Sequence, residues 1–172
     1  EVLIAPPKNL KYNTPVIYEE EVKISPLNPS VIGKVDNYTV DKVLPDGLSL
    51  DPLTGIISGT PTKAIPLTEY WVTATNTTGS ARARLVITVL IARPRNLVYP
   101  TPKVLYQNFL IPDIAPSVSG TVATYSIDRT LPAGLNFSSA TGIISGTPTA
   151  LSSMTTYVIT ARNSTGSTTA SI

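Results

Sequence analysis

The sequence predicts an all-β protein built of two tandem sandwich domains, and three observations carry that prediction. The composition is poor in helix formers and rich in Thr, Val, Ile, Ser and Pro, with 16 prolines in 172 residues. That mix favours pleated strands and fixed turns over helices. The chain also repeats itself: shifted by 87 positions it aligns without a gap, and 40 of the 85 overlapped residues are identical. Finally, apolar and polar residues alternate with period two in the longest strand-like runs, as a half-buried strand requires.

The repeat sets the domain organisation. NLKYNTP at residues 9–15 falls on NLVYPTP at 96–102, YTVD at 38–41 on YSID at 125–128, and LPDGL at 44–48 on LPAGL at 131–135. GIISGTPT occurs letter for letter at 55–62 and 142–149, and EYWVTATNTTGS at 69–80 falls on TYVITARNSTGS. A period of this length exceeds that of solenoid repeats and matches a whole small domain. The expected division is residues 6–91 for the first domain and 92–172 for the second. Residues 1–5 are expected to be the tail of a preceding repeat's last strand or a linker, because VLIA at 2–5 recurs at 89–92, the alternative being the start of the first domain's own first strand. By the same shift Ile172 aligns with Leu85, so the second domain's last strand is expected to stop short, as in a piece of a longer array. An orphan apolar strand at one end and a shortened edge at the other predict head-to-tail strand donation. The junction IARPRNL, with one proline and no Gly or Ser, predicts a semi-rigid connection.

Within one copy the elements follow in order. Short strands are expected near residues 9–12, 16–24, 35–41, 48–50 and 55–58. Tyr70, Val72 and Ala74 then alternate with Trp71, Thr73 and Thr75, and SARARLVITVLI continues the alternation with Arg82 and Arg84 on one face. The two runs make a hairpin around Gly79. About seven strands in some 87 residues is the pattern of an immunoglobulin-like sandwich. There is no cysteine, so the core must hold by packing alone. Tyr70 and Tyr157 open the penultimate strand, the place for a tyrosine-corner bond to backbone. In the repeated run, Pro45 suits the second position of a tight turn closed by Gly47. Pro52 begins another turn that ends at Gly55, and Gly59 lets the chain bend before Pro61. Pro132, Gly134, Gly142 and Gly146 repeat these tasks, so the run reads as scaffold rather than as a ligand loop.

These same residues resemble the He-PIG (Putative Ig domain) repeats of bacterial surface and secreted proteins, relatives of dystroglycan-type cadherin-like domains. The family pattern LPxGLxLxxxTGxIxGTP followed by YxVTAxNxxG is matched by LPDGLSLDPLTGIISGTPT with YWVTATNTTG, and by LPAGLNFSSATGIISGTPT with YVITARNSTG. The resemblance implies Ig-like sandwiches in extracellular arrays, often in adhesins, and transfers no catalytic residue.

Composition narrows the chemistry. With neither histidine nor cysteine, the commonest general base, the usual zinc ligands and any thiol nucleophile are missing. No phosphate-binding glycine loop is present, and the expectation is a protein that is not an enzyme and holds no cofactor. Calcium is the one metal to weigh, with Asp36, Asp41, Asp46 and Asp51 as weak candidates. A calcium site wants six to eight converging oxygens, and the second copy has Ala123, Ala133 and Ser138 in place of three of them. Solvated turn carboxylates are the plainer meaning. A basic set, Arg82, Arg84, Arg93, Arg95 and Lys103, lies in a stretch free of acids from residue 70 to 112. It would attract an anionic glycan, or simply keep a sheet edge soluble. With a net charge of +2 and no interleaved aromatics, nucleic acid is not expected as a partner. Trp71 on an outer strand face is a candidate contact residue, and the second copy has Val158 there. Four N-x-S/T sequons, at Asn37, Asn76, Asn136 and Asn163, are expected by chance in so Ser- and Thr-rich a chain.

The expectation is therefore a spacer or adhesion unit of a cell-surface protein, flanked by neighbouring Ig-like repeats and contacting a host extracellular protein or glycan. The alternative is an accessory module of a secreted, carbohydrate-active hydrolase.

Overall fold

The computed structural model describes residues 4–100 and 104–172. Fifteen strands and no helix occur among them, and the chain divides into two units, Glu1–Ile91 and Ala92–Ile172.

Unit 1 contains β1 (Lys8–Lys11), β2 (Val16–Glu19), β3 (Ser30–Ile32), β4 (Asn37–Val40), β5 (Leu48–Leu50), β6 (Ile57–Gly59), β7 (Ile65–Asn76) and β8 (Gly79–Leu90). One sheet has the order β2-β8-β7-β4, with β2 parallel to β8 and the other pairs antiparallel. The second layer pairs β1 with β3 and β5 with β6, and Leu27 bridges Ile57. The predicted alternation sets the core. Tyr70, Val72 and Ala74 of β7 and Ala83, Leu85 and Ile87 of β8 are buried, meeting Leu10, Leu27 and Ile57 of the other layer. Trp71, Arg82 and Arg84 point outward.

Unit 2 contains β9 (Arg95–Val98), β10 (Ser117–Ser119), β11 (Thr124–Ile127), β12 (Leu135–Phe137), β13 (Ile144–Gly146), β14 (Val158–Arg162) and β15 (Ser167–Ser171). Its main sheet is β11-β14-β15, and β9 pairs with β10 and β12 with β13. Leu97, Tyr99, Ile111, Ile114, Tyr125, Ile144, Ile159 and Ala161 form its core.

The strand pattern departs from expectation in particular places. The run expected over residues 16–24 stops at Glu19, because Glu21 takes a positive φ of 63° and the Val22 amide bonds back to the Glu19 carbonyl. Strand β3 was not expected: three residues between Pro29 and Gly33 are too short for an alternation to show. The first turn of the repeated run sits one residue later than predicted. The Leu48 amide donates to the Pro45 carbonyl at 2.9 Å, so Pro45 is the first residue of that turn and Gly47, at φ 86°, the third. A positive φ at the third position of a tight turn wants glycine, and Gly47 rather than Pro45 therefore fixes the register. The next turn starts one residue earlier than predicted, at Asp51, whose carbonyl accepts from the Gly55 amide at 2.8 Å, and it ends at Gly55 as expected.

Candidate functional site

Why the repeated run recurs is visible in its backbone. Gly47 and Gly59 face each other across the β5–β6 pair, in register Leu48 with Gly59. A Cβ on Gly47 would lie 1.9 Å from the Thr60 carbonyl oxygen, and one on Gly59 would lie 2.0 Å from the Gly47 carbonyl oxygen. Gly134 and Gly146 repeat this contact in unit 2, again about positive φ. Gly55 and Gly142 lie beneath the rings of Tyr38 and Tyr125. The glycines of the run are thus used in bringing its backbone together.

The buried tyrosine-to-backbone bond lies elsewhere than predicted. The Tyr12 hydroxyl donates to the Gly55 carbonyl at 2.6 Å, and the Tyr99 hydroxyl to the Gly142 carbonyl at 2.6 Å. Burial raises both phenol pKa values, that of Tyr99 to about 12. Tyr70, where the bond was expected, is buried with Thr68 beside its hydroxyl. The signal was in the sequence: both tyrosines belong to the repeated NLxYxTP.

A second device was missed altogether. The Asn76 side-chain amide donates to the Ala5 carbonyl at 2.7 Å and the Lys34 carbonyl at 3.0 Å. Its oxygen accepts from the Thr78 amide, the Thr78 hydroxyl and the Gly79 amide at 2.8–3.1 Å. Asn163 does the same to Ala92, Thr121, Thr165 and Gly166. The N-x-T-G corner is thus a clasp that pins the segment leading into its own unit between two turns. A Cβ on Gly79 would sit 2.9 Å from Pro6, and one on Gly166 would sit 3.3 Å from the Arg93 stem, so the close approach wants glycine. Two of the four sequons are therefore structural asparagines, whereas Asn37 and Asn136 are exposed.

Three of the four carboxylates singled out for calcium have a local task. Asp36 pairs with Lys34 at 3.0 Å. Asp41 accepts from the Trp71 amide at 2.9 Å, as Asp128 does from the Val158 amide. Asp51 accepts from the Leu53 and Thr54 amides, and these bonds lower its pKa. Asp46 contributes its carbonyl to the Thr62 amide. Among the described residues no three acidic side chains gather into a metal-sized group.

Trp71, Arg82 and Arg84 do come together. Trp71 lies opposite Arg84 in the β7–β8 register, and Thr73 opposite Arg82. Strand side chains reach their diagonal neighbours: the Arg82 guanidinium lies 5.1 Å from the Trp71 ring centre, and Arg84 forms an ion pair with Glu69. That hydrogen bond and charge hold the Glu69 carboxyl below its ordinary range. Trp71 remains 39% exposed. Arg93 and Arg95 belong to unit 2, Arg95 opening β9. Lys103 lies outside the described residues, as do residues 1–3 of the expected N-terminal tail. Thr156, Val158, Thr169 and Ser171 stand in unit 2 where Glu69, Trp71, Arg82 and Arg84 stand in unit 1, so this surface is made once.

Two packed β-layers around one core, with a Greek-key-like mixture of local and long pairings, define each unit as an immunoglobulin-like domain. Solved structures that share this fold over the chain's length include an insect immune protein and a cell adhesion molecule. One is the insect immune protein hemolin (TM-score 0.58, 16% identity, 98% of this chain and 46% of that one). The other is the N-terminal eight Ig domains of Down Syndrome Cell Adhesion Molecule (TM-score 0.51, 16% identity, 98% and 24%). The chain spans 60% of the extracellular domains 3–5 of Drosophila OTK, a further structural relative (TM-score 0.48, 18% identity). No curated protein sequence matches the chain. The He_PIG family, described as Putative Ig domain, matches residues 4–90 and again 96–172, and the chain belongs to that family as two tandem copies.

Proposed function

We propose that the chain is a non-catalytic, extracellular Ig-like repeat module of a bacterial surface protein, acting as a spacer that also carries an adhesion contact. The observation that supports this most is the division of labour between the copies. Residues that repeat, such as Gly47, Gly59, Tyr12, Asp41 and Asn76, are occupied by backbone tasks. Among the residues that differ are those on the outer face of β7 and β8, where Trp71 and Arg82 stack. A half-exposed tryptophan beside arginines is the side-chain chemistry that protein contacts favour. Unit 1 is thus the binding copy and unit 2 the spacing copy. Arg82 stacks on the ring and Arg84 is paired with Glu69, which leaves this face better suited to a protein surface than to a polyanion. Among the described residues no helix is long and apolar enough to cross a membrane. The test is capture of the immobilised chain on a panel of extracellular-matrix proteins and glycans. Trp71→Ala with Arg82→Ala should lose capture of the bound protein at unchanged melting temperature. Capture that survives both substitutions, or that goes only to polysaccharide, would refute the assignment.

A further inference from the structure

The corner that the Asn163 clasp fixes in unit 2 borders an open cleft of about 340 Å³, lined by Ala123, Thr124, Arg162, Asn163 and Ser164. Its walls are set by backbone bonds. The Ala123 amide donates to the Arg162 carbonyl at 2.9 Å, and Thr124 pairs with Arg162 across β11 and β14. The Asn163 amide donates to the Gly166 carbonyl at 2.9 Å, which turns the chain beside the cleft. Tyr125 and Ala161 belong to the core, so alternation puts Thr124 and Arg162 on the outer face. Both ends of the Asn163 side-chain amide are taken by the clasp. The Thr124 hydroxyl has only long contacts, at 3.4 Å, with the Tyr125 and Ser139 carbonyls. A ligand would therefore meet the Arg162 guanidinium, the Thr124 and Ser164 hydroxyls and the Ala123 methyl.

The other copy is built differently at this place. Shifted by 87 residues, the cleft positions hold Asp36, Asn37, Thr75, Asn76 and Thr77. There Asp36 pairs with Lys34 at 3.0 Å, and the Thr75 hydroxyl donates to the Asn37 carbonyl at 3.2 Å. Unit 2 has Ala123 in place of that carboxylate, Thr121 in place of the lysine, and a cation at Arg162. Its acids are Asp113 and Asp128. Asp128 pairs with Arg129 at 3.1 Å and stands four positions beyond Thr124, about 13 Å along an extended strand. Asp113 precedes Ile114, which bridges Ile144 in the other layer. Among the described residues Arg162 is thus an exposed cation with no carboxylate paired to it. We propose that this cleft binds a carboxylate-bearing sugar. The planar fork of Arg162 would take the carboxylate in two parallel bonds. The hydroxyls of Thr124 and Ser164 would meet ring hydroxyls, and the Ala123 methyl the C–H face of the ring. The volume lies at the low end for small-ligand sites, which suits one sugar unit. The inference goes beyond the Trp71 contact, which lies on the other unit.

The test titrates the isotope-labelled chain with sodium glucuronate and, separately, with N-acetylneuraminate, following amide shifts by NMR. Saturable shifts at Ala123, Arg162 and Ser164 are expected with at least one of the two, and the tighter one tells a uronate from a sialate. Arg162→Thr and Ala123→Asp import the residues that unit 1 carries at the matching positions, so the fold should tolerate both. Each should weaken binding at least about tenfold, the loss expected when a charge-assisted pair is removed or opposed. Glucose, which lacks the carboxylate, should not shift these amides, and Trp71→Ala should leave the titration unchanged. Absence of saturable shifts with both acids, equal binding of glucose, or indifference to Arg162→Thr would each overturn the proposal. Sulfate binding as tightly as either sugar acid would reduce the cleft to an inorganic anion site and overturn it too. Loss of binding in Trp71→Ala would place the sugar on unit 1 and do the same.

Discussion

Replacing Asn76 with alanine removes five hydrogen bonds at once, at 2.7–3.1 Å, while leaving every buried apolar contact in place. Each bond is worth about 0.5–1.5 kcal/mol net of water. The site is solvent-exposed, so water re-satisfies much of what is lost and the bonds do not add in full. A loss of about 2 kcal/mol is the working figure, and for a domain of this size it lowers the melting temperature by about 8–16 °C. The single tryptophan, Trp71, lies in unit 1, so its fluorescence follows that unit while circular dichroism follows both. Asn76→Ala should move the transition of unit 1, seen by both probes, and Asn163→Ala should move only the transition that fluorescence does not see. Melting within about 1 °C of the parent for both variants would refute the clasp, leaving the N-x-T-G corner as no more than a hairpin turn.

Gly59→Val and Gly146→Val should each lower the urea midpoint of their own unit by the equivalent of a few kcal/mol, since a side chain there meets a carbonyl oxygen at bond-like distance. Unchanged midpoints would mean that the run is kept for binding. From neutral pH stability should be flat up to about pH 10 and fall as pH rises toward 12. The folded pKa of Tyr99 is raised above its unfolded value, so its contribution is complete below the unfolded pKa and lost above it. Tyr99→Phe should flatten the alkaline fall of unit 2, and an unchanged pH profile would sink that assignment. Melting temperature should not respond to millimolar calcium or to EDTA, because a folded-state ligand must raise it; a shift of several degrees would expose a site that the separate aspartates do not reveal.

How much of this was legible in the sequence depends on the range of the interaction. Period-two alternation is local, so β7 and β8 and their inward and outward faces were readable residue by residue. Repetition was legible by inspection, and so was the need for glycine at 47, 55 and 59. What alternation cannot show is a partner far along the chain. Tyr12 and Gly55 are 43 residues apart, and Asn76 and Ala5 are 71 apart. Each pair recurs at the same separation in the other copy, as Tyr99 with Gly142 and Asn163 with Ala92. A polar side chain held in both copies was therefore the available signal, hidden because a strand at residues 9–12 and a hairpin around Gly79 already accounted for Tyr12 and Asn76 locally.

The divergent positions carry the complementary lesson. At the repeated sites two copies with 40 identities in 85 positions have kept the same donors and acceptors, because losing one leaves a carbonyl or amide without its partner. On the outer sheet face no such constraint acts, and there Trp71, Arg82, Arg84 and Glu69 have become Val158, Thr169, Ser171 and Thr156. Solvation alone would be met by any polar residue on that face. A tryptophan there exposes apolar surface to water at a cost of roughly 25 cal/mol per Å², and the arginine stacked on its ring covers only part of it. Retaining such a group in one copy and not the other makes sense if something else covers it, which is why the Trp71 face of unit 1 is where a partner should first be sought.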